Sequence, residues 1–158
     1  MSGFFLDAAL LDALTASARA LPRLRSHHNL HADPGDAAHR LLVAMEPDSY
    51  VRPHRHLDPA KAETIIVLRG RLGTLIFDSD GQVREAREMA PGGAVIGYHV
   101  PPGVFHSIVA LDSGTLFIEA KAGPYAAPTE SEWGWWAPPE GAPGVSAYLE
   151  LMRRNLPA

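Results

Sequence analysis

The sequence predicts an all-β protein, an antiparallel barrel or sandwich with a short helical arm at each end, and three observations carry that prediction. From His39 to about Lys121, short β-prone segments alternate with turn signals, while the stretches on either side change character. Hydrophobic residues make up 46% and charged residues 20% of the 158, close to an ordinary globular domain. That length buries a substantial core within one domain. We therefore expect a single domain over 1–158, with a helix-and-loop arm at 1–38, a β-barrel at 39–122 and a Pro- and Trp-rich arm at 123–158.

The elements follow in order. Leu6, Leu10, Leu11 and Leu14, with Ala18 and Leu21 beyond, recur at helical spacing until Pro22, which predicts an amphipathic helix over about 6–20. The mixture of polar, basic and turn residues from Arg23 to Asp36 predicts a loop that wraps onto the rest of the protein. Strands are expected near 40–46, 50–57, 63–69, 71–78, 82–89, 94–100, 104–111 and 114–121. Gly70 divides the long apolar stretch Thr64–Phe77 and is placed for a bend, and Asp78-Ser79-Asp80-Gly81 closes a hairpin. In the tail, Trp133, Trp135 and Trp136 are too apolar for a solvated linker and predict packing across the barrel or against a second subunit. A last helix is expected around Val145 to Arg154.

Composition removes several classes of function. The formal net charge is −4 with no basic stripe, which argues against a nucleic acid as partner. The absence of cysteine excludes disulfides and leaves only nitrogen and oxygen ligands for any metal, in keeping with a reducing cytoplasm. The first residues carry Asp7 and Asp12 within their apolar part and lack a basic start, so they do not read as a signal peptide. No stretch approaches the roughly 18 apolar residues of a membrane span.

The chemistry concentrates in His54, His56, Glu63 and His106. Residues two apart on a strand share a face, so the imidazoles of His54-Arg55-His56 point the same way, and Arg52 and Tyr50 lie on their phase. Glu63 opens an otherwise apolar strand, where an ionised carboxylate needs a partner, and a metal is the best available. His106 follows the rigid turn Pro101-Pro102-Gly103. Three imidazoles and one carboxylate suit one divalent transition metal ion, among Zn, Ni, Fe, Mn and Co, with coordination positions left for water or substrate.

These residues resemble the two motifs of the cupin superfamily. His54-x-His56, then Glu63, then Gly70 after six intervening residues, looks like the first motif, with six residues between His56 and Glu63 where that family has three or four. Pro101-x-Gly103-x-x-His106 looks like the second. Tyr50–His56, Glu63–Arg71, Phe77–Gly81 and Glu119–Tyr125, with Trp136-Ala-Pro and Glu140-Gly, are similar to the WbuC-type cupin-fold metalloproteins over nearly the whole chain. The resemblance implies a double-stranded β-helix, or jelly-roll barrel, a bound metal, and a bacterial setting in O-antigen and other surface-polysaccharide gene clusters. It also implies that the loop carrying Asn29 and His31 reaches the cavity. Fold analogy adds a homodimer.

The expected function is that of a metalloenzyme acting on a carbohydrate-derived small molecule by Lewis-acid chemistry of an isomerase, epimerase or lyase kind. Arg52 or Lys61 would hold an anionic group, Tyr98 or its neighbour His99 would face the ligand, and Glu63, where it is not itself a ligand, would move a proton. The alternatives are an Fe(II)-dependent dioxygenase and a non-catalytic binding or scaffold protein. An interior lined by Arg52, Tyr98 or His99, and Glu119 or Lys121 around an open metal position would favour catalysis.

Overall fold

The structure, a computed structural model, describes residues 3–157. Asp7 begins the first helix, α1 (Ala8–Ala20), by accepting a 3.0 Å hydrogen bond from the Leu10 amide that would otherwise lack a partner. Eight strands follow: β1 (Arg25–Asn29), β2 (Ala38–Met45), β3 (Glu63–Arg69), β4 (Leu72–Phe77), β5 (Val83–Met89), β6 (Gly97–Val100), β7 (Phe105–Ala110) and β8 (Thr115–Ala122). A one-turn helix at Glu130–Glu132 and α2 (Val145–Arg154) complete the chain.

The strands form two antiparallel sheets, one of five in the order β1-β2-β8-β3-β6 and one of three in the order β5-β4-β7. This is the antiparallel sandwich that the turn spacing predicts, in the jelly-roll form that the cupin resemblance implies. Alternation along each strand sorts the side chains. Leu41, Val43, Met45, Ile65, Val67 and Phe117 of the larger sheet meet Leu72, Met89, Ile108 and Ala110 of the smaller one in the central core. Leu14 and Ala18 of α1 cover Leu42, Ala44 and Leu116 on the outside of the larger sheet, and Leu149 and Met152 of α2 cover Leu75, Phe77 and Val109 on the outside of the smaller. Each helix thus closes the face its sheet would otherwise expose to water.

Gly70 makes the bend between β3 and β4 at a φ of 67°, and a Cβ there would lie 2.6 Å from Thr115 Oγ1. No other residue type suits both demands.

Two segments differ from expectation. The 50–57 stretch is not a strand: Pro53 lacks an amide proton, and only His54 pairs, as an isolated bridge to His106 on one side and Trp133 on the other. Within the stretch expected as a loop, Arg25–Asn29 forms β1, paired with β2 from Arg25↔Met45 to Asn29↔Leu41. An edge strand with one face toward a polar cavity needs no hydrophobic alternation, which is why composition hides it. Among the described residues no helix is long and apolar enough to cross a membrane.

Candidate metal centre

The histidine bridge is built by backbone pairing. His54 N–H donates to His106 O at 3.0 Å and His106 N–H returns a bond to His54 O at 2.9 Å, so residues fifty apart are locked side by side. The turn before β7 is tied to the other histidine, with Gly103 N–H donating to His56 O at 2.7 Å. From the far side, the tail holds the same segment: Arg55 N–H donates to Glu132 O and Leu57 N–H to Glu132 Oε1. The lengthened connection after His56 runs out into solvent and returns in time for Glu63 to enter the barrel at the head of β3.

One potential ligand atom from each of His54, His56, Glu63 and His106 lies within 4.8 Å of the others. Glu63 and His106 are 4% and 2% exposed, so their polar atoms face one another with little access to bulk water. His54 Nδ1 lies 3.0 Å from Arg52 O and His106 Nδ1 lies 2.9 Å from Val104 O. A carbonyl oxygen only accepts, so each Nδ1 carries the proton and each Nε2 presents a lone pair. Burial, reinforced by the neighbouring His106, pushes the His54 imidazole down to about 3, and burial likewise lowers His106, so both are neutral at physiological pH.

Burial alone would raise the Glu63 carboxyl, but the hydrogen bond with His56 and the charge of Lys121 outweigh it and hold the group ionised. His106 Nε2 is buried and has no hydrogen-bond partner. A buried lone pair left without a donor is costly, and here it points into a cluster that also offers two imidazoles and an anion. That donor set fits a divalent transition metal, with each protonated Nδ1 bonded to a backbone oxygen in the way that orients metal-ligating histidines.

Two voids that share Arg25, His54 and Lys121 in their walls meet the cluster. An inner cavity of about 170 Å³ is lined by His54, Glu63 and His106 with Glu119, Lys121 and His27. An outer one of about 700 Å³ adds Arg52, Lys61, Trp133 and Tyr125. Arg52 donates through Nη2 to Gly134 O at 3.1 Å and sits 5.4 Å from the centroid of Trp133, while its Nε is buried without a partner. Lys61 Nζ donates to Pro124 O at 3.0 Å. Lys121 Nζ lies 2.6 Å from Glu119 Oε1 and 3.9 Å from Glu63 Oε2. Burial and the Glu63 charge push the Glu119 carboxyl above the ordinary range.

Three residues expected at the ligand site lie elsewhere. Asn29 is exposed on the edge strand β1, and His31 stacks on His39 at 4.0 Å with its Nδ1 against Arg40 O. Tyr98, on β6 opposite Ile65, packs against the central core, and His99 is exposed and bonded to Thr64. Conversely, Arg25 and His27 line the inner cavity and were not anticipated. Arg25-Ser26-His27 is polar throughout and carries no alternation, so it reads as a strand only once β2 is known to lie beside it.

The family model described as a domain of unknown function (DUF6016) matches residues 6–89. No curated protein matches the chain. Among solved structures, KdgF from Halomonas sp. is 19% identical, with 67% of this chain and 84% of that one covered and a TM-score of 0.52. A conserved protein of unknown function from Streptococcus pyogenes is 13% identical over 80% of this chain and 92% of that one, at a TM-score of 0.52. Oxalate decarboxylase from Bacillus subtilis is 19% identical over 68% of this chain and 26% of that one, at 0.48. The first two likenesses are of fold, and the fold is the cupin jelly roll.

Proposed function

The chain belongs to the DUF6016 family, and we propose that it is a mononuclear metalloenzyme of the cupin superfamily, with His54, His56, Glu63 and His106 as metal ligands. The observation that carries this reading is the unpartnered, buried Nε2 of His106, facing Glu63 and the neutral His54 at the floor of a cavity. A bound divalent ion would supply Lewis-acid polarisation of a carbonyl or hydroxyl oxygen. The chain's own residues do the rest. Arg52 and Lys61 attract and orient an anionic part of the ligand at the mouth, and the buried Ile65, Ile108 and Phe117 of the inner cavity keep bulk water from the reacting end. Glu63 Oε2 lies 3.0 Å from His56 Nε2, a contact that coordination of both side chains would replace.

The substrate class we favour is a small sugar-derived molecule. The support is the WbuC-type resemblance, with its link to surface-polysaccharide clusters, and the outer cavity, whose size suits one monosaccharide unit with room to spare. We also place the protein in the cytoplasm, on its lack of cysteine, and as a homodimer, on fold analogy.

The test is metal content by elemental analysis. Wild type is expected to carry one divalent ion per chain and His56→Ala none; a full complement retained in His56→Ala would defeat the ligand assignment. Adding Fe(II) and ascorbate separates the reaction classes: oxygen uptake that tracks iron occupancy favours a dioxygenase, and none favours redox-silent chemistry.

A further inference from the structure

Glu140, which the metal cluster does not require, closes a ring of charge at the cavity mouth. Arg23 donates through Nε to Glu140 Oε1 and through Nη2 to Oε2, both at 2.7 Å. Arg25 Nη2 donates to the same two oxygens at 3.1 and 2.9 Å. Two guanidinium groups around one carboxylate form a seat for a planar, two-oxygen anion. The seat belongs to the cavity: Arg23 and Arg25 line the inner void with His54 and His106, and the outer void with Arg52 and Glu140.

Seat and occupant differ in how firmly they are held. The Arg25 side chain is 9% exposed, and its Nη1 donates to Tyr50 O at 2.7 Å and Ser49 Oγ at 3.2 Å, so it stays in place whatever Glu140 does. Glu140 is 37% exposed and Arg23 59%, and ion pairs this open to water contribute little. The loop that carries Glu140 is exposed, and Cβ atoms added at Gly141 or Gly144 would meet nothing within 4 Å. The occupant is therefore replaceable while half of the seat is fixed.

Charge points the same way. The chain as a whole carries −4, yet the two voids gather five cations, Arg23, Arg25, Arg52, Lys61 and Lys121, against the carboxylates of Glu63, Glu119 and Glu140. An excess of positive charge in a low-dielectric cleft concentrates anions there. Among the described residues neither Arg52 nor Lys61 is paired with a carboxylate, as the salt bridges of the mouth run through Arg23, Arg25 and Lys121.

We propose that Arg23 and Arg25 form the seat for the carboxylate of a small acidic ligand, and that Glu140 is the internal carboxylate which that ligand displaces. The proposal rests on reading the cavity as a ligand site beside a metal, and it specifies the ligand as a carboxylic acid rather than a neutral sugar. Glu140 is then a competitor built into the mouth. Neutralising it should raise affinity, whereas a merely structural clasp between the two arms would lose or keep it.

The experiment titrates metal-loaded, full-length protein with D-glucuronate and, as the matched neutral probe, D-glucose, by calorimetry at low ionic strength. Glu140→Gln is expected to bind glucuronate about tenfold more tightly than wild type, with no change toward glucose. The gain should vanish in the Arg23→Gln/Glu140→Gln double variant. Glu140→Asp, which keeps the charge but retracts it by one methylene, should give a smaller gain of the same sign. Unchanged or weaker glucuronate binding in Glu140→Gln, or an equal gain for glucose, overturns the seat. Metal content measured on the same samples keeps the two readings apart: a metal-free wild type overturns the metal centre, while one ion per chain with no gain overturns the seat alone.

Discussion

Glu46 and Glu63 are both buried carboxylates, 8% and 4% exposed, and the contrast between them shows what distinguishes a structural anion from a candidate ligand. Glu46 lies just beyond β2 and is surrounded by donors: Ser113 Oγ at 2.6 Å, the Gly114 amide at 2.9 Å and Arg19 Nε at 3.1 Å. It ties α1 to the turn before β8 and lines neither of the voids at the histidine cluster. Glu63 has His56 Nε2 at 3.0 Å and Lys121 Nζ at 3.9 Å, and beside it stands a buried imidazole nitrogen with no partner at all. In both cases burial would raise the carboxyl pKa and the surroundings reverse it. The shift alone does not tell them apart; the completeness of the donor shell and the presence of a void do.

The largest effects should be reciprocal. His106→Ala is expected to weaken metal binding at least about a thousandfold, roughly 4 kcal/mol, as seen by competition with a chromophoric chelator. Glu46→Ala should leave one ion per chain but cost about 2 to 3 kcal/mol of stability, because the Ser113 hydroxyl and Gly114 amide lose a charged acceptor. Arg19, 55% exposed, adds little to that sum. A drop in denaturation midpoint at constant slope would measure it. Metal loss in Glu46→Ala would erase the distinction between the two carboxylates.

Smaller, and aimed at Glu63 itself, is Glu63→Gln. The amide keeps the shape and removes the charge, so direct coordination predicts a loss of metal affinity beyond the 10- to 100-fold typical of groups that only orient a ligand. A decrease within that span would instead make Glu63 the residue that positions His56, with three histidines holding the ion.

The Glu63 side of this contrast was legible in the sequence, and the Glu46 side was not. The His-x-His spacing, the isolated acid at the head of an apolar strand and the Pro-x-Gly turn before His106 are local signals, and the structure gathers those four side chains within 4.8 Å. The strand phase invoked for His54 and His56 is absent, however; Pro53 prevents a regular ladder, and pairing of His54 with His106 and Trp133 achieves the convergence instead. Arg25, His27 and Glu140 were not legible because their roles depend on which distant segments the arms lie against. Asn29, His31 and Tyr98 illustrate the converse. Nearness in sequence does not place a polar residue in the cavity: Arg25 and His27 of β1 line it, whereas Asn29 at the end of that strand is exposed, His31 lies beyond it and Tyr98 packs against the core.

The smallest predicted effect is also the most selective, because it concerns pH. The Glu46 carboxyl is held below its unfolded value of about 4.3 by Ser113, Gly114 and Arg19 against the opposing push of burial. A depressed folded pKa stabilises the protein fully above the unfolded value, and the contribution disappears as pH falls through the folded one. The stability gap between wild type and Glu46→Gln should therefore be constant near neutrality and narrow below about pH 4, by about 1.4 kcal/mol for each unit of depression. It should also be the same with and without metal, since Glu46 contacts none of the four clustered side chains. Glu63 is depressed in the same direction, but in metal-loaded protein its protonation must compete with the ion, so acid should release metal and stability together there. Denaturation of both forms between pH 3 and 7 reads the difference. A Glu46→Gln gap that varies with metal loading would mean that the two carboxylates are energetically linked across the barrel, and that the division between them is one of degree.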